Sequence, residues 1–251
     1  MLRCECCVLF IAAISILYIW RGFVDLGAGD DSVYLTTNAS SINGNTGTDE
    51  AIVRAFDGFV DVYIDLQFST YFVPSKLTAQ DGMDVSLENF EKVTIDGNVA
   101  ATILGTSAAD TLVGDAAADT ITGRGGADTL TGGSKSDTFV FTTGDTGITL
   151  ETADTITDFS TGTDKIDIAT VGNYVEADGA GNANIAAFIT DADASLPTTS
   201  IDIYAEYNFN GEGNTLVVID EDKSGAVNTG DTLIILTGLS TADGLDAADF
   251  I

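Results

Sequence analysis

Histidine is absent from all 251 residues, and that absence removes several activities at once. A zinc-protease helix motif, a Ser-His-Asp triad and a Cys-His dyad all need an imidazole, so none can be built here. Cysteine is nearly absent too. The three present are Cys4, Cys6 and Cys7, all in the first seven residues, which leaves no disulfide framework and no complete Cys-metal site. Positive charge is scarce, with 9 Lys and Arg against 39 Asp and Glu and a formal charge of −30. Such a polyanion repels nucleic-acid phosphates and anionic lipid head groups, so no nucleic-acid partner is expected. Glutamate is scarce as well, at 9 residues against 30 Asp. Asp disfavours helix interiors where Glu is tolerated, so the acidity does not describe a helical bundle.

What the chain has instead is Asp, 27 Gly and 33 Thr, the residues of turns and strands. An apolar share of 45% is enough for a buried core. A partner that suits this composition is a hard cation held through oxygen, and Ca²⁺ leads that class.

The first residues differ from the rest. Cys7 to Trp20 is a run of 14 residues, apolar apart from Ser15 and flanked by Arg3 and Arg21. A spanning helix needs about 20 residues, and no small-x-small cleavage site follows the run. Residues 1–23 are therefore set apart as a head, either an anchor or export signal or a mis-assigned start. A membrane partner is expected only if 7–20 is a real anchor.

From Gly105 the chain reads GTSAADTLV, GDAAADTIT, GRGGADTLT and GGSKSDTFV, four nine-residue units in register. Each opens on Gly (Gly105, Gly114, Gly123, Gly132), carries Asp sixth (Asp110, Asp119, Asp128, Asp137), and places an apolar residue eighth (Leu112, Ile121, Leu130, Phe139). A degenerate unit from Asp96 precedes them with Ala101 in the Asp position. Gly27 to Val33, which contains Asp31, and Gly44 to Asp49 repeat the Gly–Asp half of the pattern. Small residues and Gly permit a tight turn, and a three-residue Thr-apolar-Thr or Val strand follows. One unit cannot bury its single apolar side chain alone, so the units must stack. Stacking brings the Asp residues into rows, which repel one another unless cations lie between them.

These units resemble the calcium-binding nonapeptides of the RTX, or haemolysin-type, repeat proteins. The resemblance implies an all-β fold, a parallel β-roll in which successive units form opposite sides. It also implies Ca²⁺ between each turn and the turn two units later, pairing Asp110 with Asp128 and Asp119 with Asp137. Gly123, Gly126, Gly132 and Gly133 belong to the two units nearest the repeat pattern. Arg124 and Lys135 depart from it and put positive charge near the ions. A calcium-free solenoid that uses Asp only as a turn residue is the alternative.

Residues 24–145 read as one roll with an elaboration at about 50–95, where Val60 to Leu66 alternates as a half-buried strand, leaving Asp61 and Asp65 solvated. Residues 146–251 read as an antiparallel β-rich C-terminal cap. Ala153 to Phe159 and Gly162 to Ile168 resemble phrases of serralysin-type C-terminal domains, and Ala247 to Ile251 resembles a type I secretion signal or else forms a last strand edge. Ile201 to Phe209, Thr215 to Ile219 and Thr232 to Leu236 read as a meander. Between its last two strands Asp220, Asp222, Ser224 and Asp231 stand at positions one, three, five and twelve of an EF-hand-like spacing, with Gly225 at six. The loop reads as a Ca²⁺ site or as an acidic hairpin turn.

The functional expectation is a secreted, extracellular module that folds on Ca²⁺ binding and reaches the outside through type I secretion machinery. No enzyme is expected within the chain. The rival readings are a fragment of a larger secreted hydrolase or polysaccharide-modifying enzyme, or a surface adhesin, with extracellular polysaccharide or a cell surface as partner.

Overall fold

A computed structural model describes residues 9–10, 18–19, 24–26, 28–35, 41–44, 47–54, 62–65, 83–88, 90–168, 172–177, 182, 184–196, 202–239 and 244–251. Cys4, Cys6, Cys7, Gly27 and Asp61 lie outside the described residues.

The short Thr-apolar-Thr strands fall alternately into two sheets. Sheet I runs β1 (Leu9–Phe10), β3 (Val24–Asp25), β5 (Ser41–Asn43), β8 (Met83–Glu88), β7 (Val62–Asp65), β10 (Ala101–Leu104), β12 (Thr120–Thr122), β14 (Thr138–Val140) and β16 (Lys165–Asp167). Sheet II runs β2 (Tyr18–Ile19), β4 (Ser32–Leu35), β6 (Glu50–Arg54), β9 (Lys92–Asp96), β11 (Thr111–Val113), β13 (Thr129–Thr131) and β15 (Asp154–Ile156). It continues through β20 (Thr232–Leu236), β19 (Asn214–Asp220) and β18 (Asp202–Phe209) to β17 (Asn173–Ala177).

Within the repeats each strand pairs in parallel with the strand two units on. Thr102 faces Thr120 and Thr120 faces Thr138 in sheet I, while Leu112 faces Leu130 in sheet II. The chain is therefore a coil of two strands per turn, and the parallel β-roll expected from the repeats is the observed architecture. Strands β1 and β2, from the head, pair in parallel with β3 and β4. Among the described residues no helix is long and apolar enough to cross a membrane. In the 50–95 segment β8 lies beside β5 and β7 beside β10, so the order of these two strands in the sheet is the reverse of their order in the chain.

One apolar side chain per unit points inward. Val33, Ala51, Val93, Leu112, Leu130 and Ile156 form one file, and Ile42, Ile103, Ile121, Phe139 and Ile166 form the other, all fully buried in one core. The threonines that flank them are half-exposed on the outer face. Burying such a side chain contributes about 1.5–3 kcal/mol. Ile121→Ala is expected to cost about 2–5 kcal/mol, whereas Thr120→Ala stays within about 0.5 kcal/mol. Urea midpoints measured in millimolar calcium check both.

The nine-residue spacing ends at Val140, but the stacking continues. Phe139 pairs with Ile166 and Leu130 with Ile156, although the intervening turns are longer. Strand β20 then adds to β15 in parallel and turns back through β19 and β18 as an antiparallel meander. The cap is thus an extension of sheet II. Helix α1 (Ile185–Ser195) departs from the purely β reading of this region. Asn184 caps it by accepting the Ala187 N–H, and Phe188 and Ala192 bury against Tyr204, Phe209, Leu216, Val218 and Leu233. The helix explains why β18 is buried on both faces. Ile203, Ala205 and Tyr207 face the roll core, while Tyr204 faces the helix. Phe209 also joins the helix side, because a bulge between Glu206 and Phe209, with Asn208 at φ 51°, resets the alternation.

Candidate metal centre

The acidic residues that precede the strands form two ladders, one on each edge of the roll. On the edge leading into sheet II the Asp31 N–H donates to Asp49 Oδ1 at 2.8 Å, and the Asp49 N–H donates to Glu91 Oε2 at 2.7 Å. Further on, the Asp110 N–H donates to Asp128 Oδ1 at 2.8 Å and the Asp128 N–H to Asp154 Oδ1 at 2.9 Å. On the other edge Ala101, Asp119 and Asp137 donate through their N–H groups to Asp119, Asp137 and Asp164 at 2.7, 2.8 and 3.0 Å. Asp49, Glu91, Asp119, Asp128, Asp137, Asp154 and Asp164 thus each secure the main chain of the preceding coil with one carboxylate oxygen. Ala101, which lacks a carboxylate of its own, still receives that of Asp119.

The second oxygens divide the turns into two kinds. In the first, the residue after the opening Gly closes the turn with its side chain. Thr106 donates to Asp110 Oδ2 through N–H and Oγ1 at 2.6 and 2.9 Å, and its Oγ1 accepts the Ala108 N–H. Asp115 donates its N–H to Asp119 Oδ2 at 2.8 Å and accepts the Ala117 N–H. The second kind uses left-handed backbone, at Arg124 (φ 68°) and Gly126 (φ 123°), then at Gly133 (φ 103°) and Lys135 (φ 84°). A Cβ on Gly126 would come within 2.5 Å of Ala108 O, so the turn stacks directly on the one before it. In the Gly133 turn, Asp158 accepts the Gly132 and Gly133 N–H groups at 2.9 and 2.8 Å.

The ladder carboxylates are buried without enough donors. Asp128 Oδ2, Asp154 Oδ2 and Asp49 Oδ2 are buried and have no hydrogen-bond partner. Burial pushes Asp110 and Asp119 up to about 6, Asp128 and Asp137 up to about 7 and Asp154 up to about 8, with N–H donation pulling each back. The charges of Asp110 and Asp145 raise Asp128 further. An anionic oxygen in such a place costs several kcal/mol unless a cation joins it. Carboxylates and nearby peptide carbonyls, with no nitrogen or sulfur donor among them, suit a hard divalent ion, and the irregular turns suit Ca²⁺ over the strict octahedron of Mg²⁺.

Residues 104–139 match four copies of the RTX calcium-binding nonapeptide repeat. RTX nonapeptide repeats bind Ca²⁺, so calcium is the ion that these turns take, and the matched segment is a structural calcium-binding module. No curated protein matches the chain.

The structure places Asp110, Asp119, Asp128, Asp137, Gly123, Gly126, Gly132 and Gly133 together along these RTX turns, and Asp31 in an upstream rung of the same ladder. Asp49, Glu91, Asp154 and Asp164 are ladder members absent from the sequence-derived set. A carboxylate followed two residues later by an apolar side chain marks them, as in Asp154-Thr-Ile and Asp164-Lys-Ile. Asp220, Asp222 and Asp231 form a separate cluster on the β19–β20 hairpin, with one carboxylate oxygen of each within 4.8 Å of the others. There Asp220 accepts the Ser224 and Gly225 N–H groups, and Asp231 accepts those of Glu221 and Asn228. Burial raises Asp220, and it pushes Asp231 up to about 6, while hydrogen bonds from Ser224 and Asn228 hold the exposed Asp222 low. The Val227 N–H donates to Asp193 Oδ1 at 2.6 Å, tying this loop to α1.

Proposed function

We propose that the chain is the calcium-dependent folding module of a secreted protein, kept open by its own charge before export and closed by Ca²⁺ outside the cell. The observation that carries this reading is the pair of buried, partnerless oxygens on Asp128 and Asp154, in a protein whose formal charge is −30. Without metal, stacking the units forces carboxylates together in a poorly solvated place, so the open chain gains relative to the roll. With metal, an ion that binds only the stacked turns adds its binding free energy to folding. Extracellular calcium near 10⁻³ M matches sites of the 10⁻⁴–10⁻³ M class.

The metal ligands on this reading are the carboxylates of Asp110, Asp119, Asp128 and Asp137, with Asp31 in the upstream rung and carbonyls of the Gly123–Gly126 and Gly132–Gly133 turns. Asp220, Asp222 and Asp231 hold a further Ca²⁺ in the hairpin loop. Residues 146–251 act as a serralysin-like cap, and the C-terminal end is the type I secretion signal. The docked state of that end bears on this assignment. Phe250 is buried and bridges to Ile166, with the Ile251 N–H donating to Ile166 O at 3.0 Å. A secretion signal packed in this way is available to the export machinery only while the chain is unfolded.

Far-UV circular dichroism across a calcium titration tests the reading. Metal-free protein at pH 8 is expected to lack the β signal, which then appears cooperatively with a midpoint of about 10⁻⁴–10⁻³ M Ca²⁺. A spectrum unchanged between chelator and millimolar calcium overturns it.

A further inference from the structure

The four RTX turns are not equivalent in how their charge is balanced. Asp110 Oδ2 accepts from Thr106 through N–H and Oγ1 at 2.6 and 2.9 Å, while the Asp110 N–H donates to Asp128 Oδ1. One coil further on, Asp128 and Asp154 each keep an oxygen with no partner at all. The Asp110 step also holds a basic side chain. Arg124 projects from the turn that stacks on Gly105–Asp110, and its Nη1 donates to Gly105 O at 2.7 Å. Its charge also bears on Asp110, in the sense that favours the ionised carboxylate. The guanidinium thus touches a turn carbonyl and lies within electrostatic reach of the buried carboxylate behind it. Both are oxygens of the kind that a hard cation would gather in this coil step.

Arg124 is held at φ 68°, a region that glycine enters freely and other L-residues avoid. Lys135 sits two positions further along its own turn, also left-handed at φ 84°, but exposed, so it controls for charge and backbone without the carbonyl contact.

We infer that Arg124 is a built-in cation that takes the place of one calcium ion between the Gly105–Asp110 and Gly123–Asp128 turns, so that this coil step closes without metal while the neighbouring steps require it. The inference rests on the reading of the turns as calcium sites and deepens it, because it assigns which step is independent of the ion. A guanidinium suits the task, being always charged and able to donate several hydrogen bonds in fixed directions.

The test is a calcium count on the full chain at pH 7.5 by equilibrium dialysis, supported by titration calorimetry. Arg124→Gly, which also relieves the backbone, is expected to bind one more Ca²⁺ per chain than the unsubstituted protein. Lys135→Gly is expected to leave the count unchanged. Equal counts for Arg124→Gly and the parent overturn the inference alone. So does a rise of equal size in Lys135→Gly, since general charge relief then explains the gain. A parent chain that takes up no calcium overturns the functional reading and this inference with it.

Discussion

Metal-free protein is expected to gain structure as the pH falls from 8 to 5, opposite to the usual acid response. The ladder carboxylates lie at about 6 for Asp110 and Asp119, about 7 for Asp128 and Asp137 and about 8 for Asp154, because burial penalises their charge. In the unfolded chain each returns to roughly 3.9. A group whose folded value is raised contributes stability that is complete below the unfolded value and is lost as the pH climbs through the folded one. The window of loss is therefore pH 4 to 8, and all five residues act in the same direction. Calcium reverses the sign, since the ion needs ionised carboxylates and acid competes with it. The midpoint calcium concentration is expected to rise steeply below pH 7, with protons released on binding. Circular dichroism of protein stripped of metal on a chelating resin reads the first effect. Calorimetry in buffers of different ionisation enthalpy reads the second. A metal-free signal that stays flat or declines on acidification defeats this account.

Asp128→Asn is expected to change sign with calcium. Asp128 sits at the centre of its ladder, accepting the Asp110 N–H and donating its own to Asp154. Asparagine keeps an oxygen for the Asp110 N–H but removes the charge that is unfavourable without metal. Ionising a carboxyl raised to about 7 costs on the order of 4 kcal/mol of folding stability at pH 8, so the metal-free variant is more stable by an amount of that order. In calcium the same change deletes an anionic ligand and leaves a buried ion under-coordinated, a loss of about 3–5 kcal/mol. Urea denaturation of both proteins at pH 8, with and without 5–10 mM calcium (about ten times the expected midpoint), checks the crossing. Destabilisation under both conditions would show that Asp128 acts only as a turn residue.

The roll between Gly105 and Val140 was legible because three physical requirements recur together there: a tight turn, a carboxylate and one inward apolar residue. Where the requirements loosen, the reading thins. Asp154 and Asp164 continue the ladders at separations of 26 and 27 residues from Asp128 and Asp137, and a search for a period of nine passes over them. Glu91 serves where the pattern asks for Asp, since its longer side chain reaches the same N–H. Helix α1 was hidden because its buried face is small, holding Phe188 and Ala192. It exists to cover the second face of β18, which no local pattern announces. The two turn types were also invisible, because Thr106 and Asp115 look like failures of the glycine pattern. They are a different closure of the same turn, made by side-chain hydrogen bonds in place of left-handed backbone.

The two-strand coil carries a parity rule. Neighbouring units belong to opposite sheets, and a strand finds its partner only two units away. Adding or losing a single nine-residue unit therefore sends every later strand to the other sheet. Strands β15 and β20 move together, so their junction is kept and the cap is carried round to the opposite side of the roll from the upstream coils. Gaining or losing units in pairs leaves the cap on the same side, because each coil closes on itself before the next begins. The number of units thus sets which side of the roll, relative to the upstream coils, carries the β19–β20 hairpin and α1.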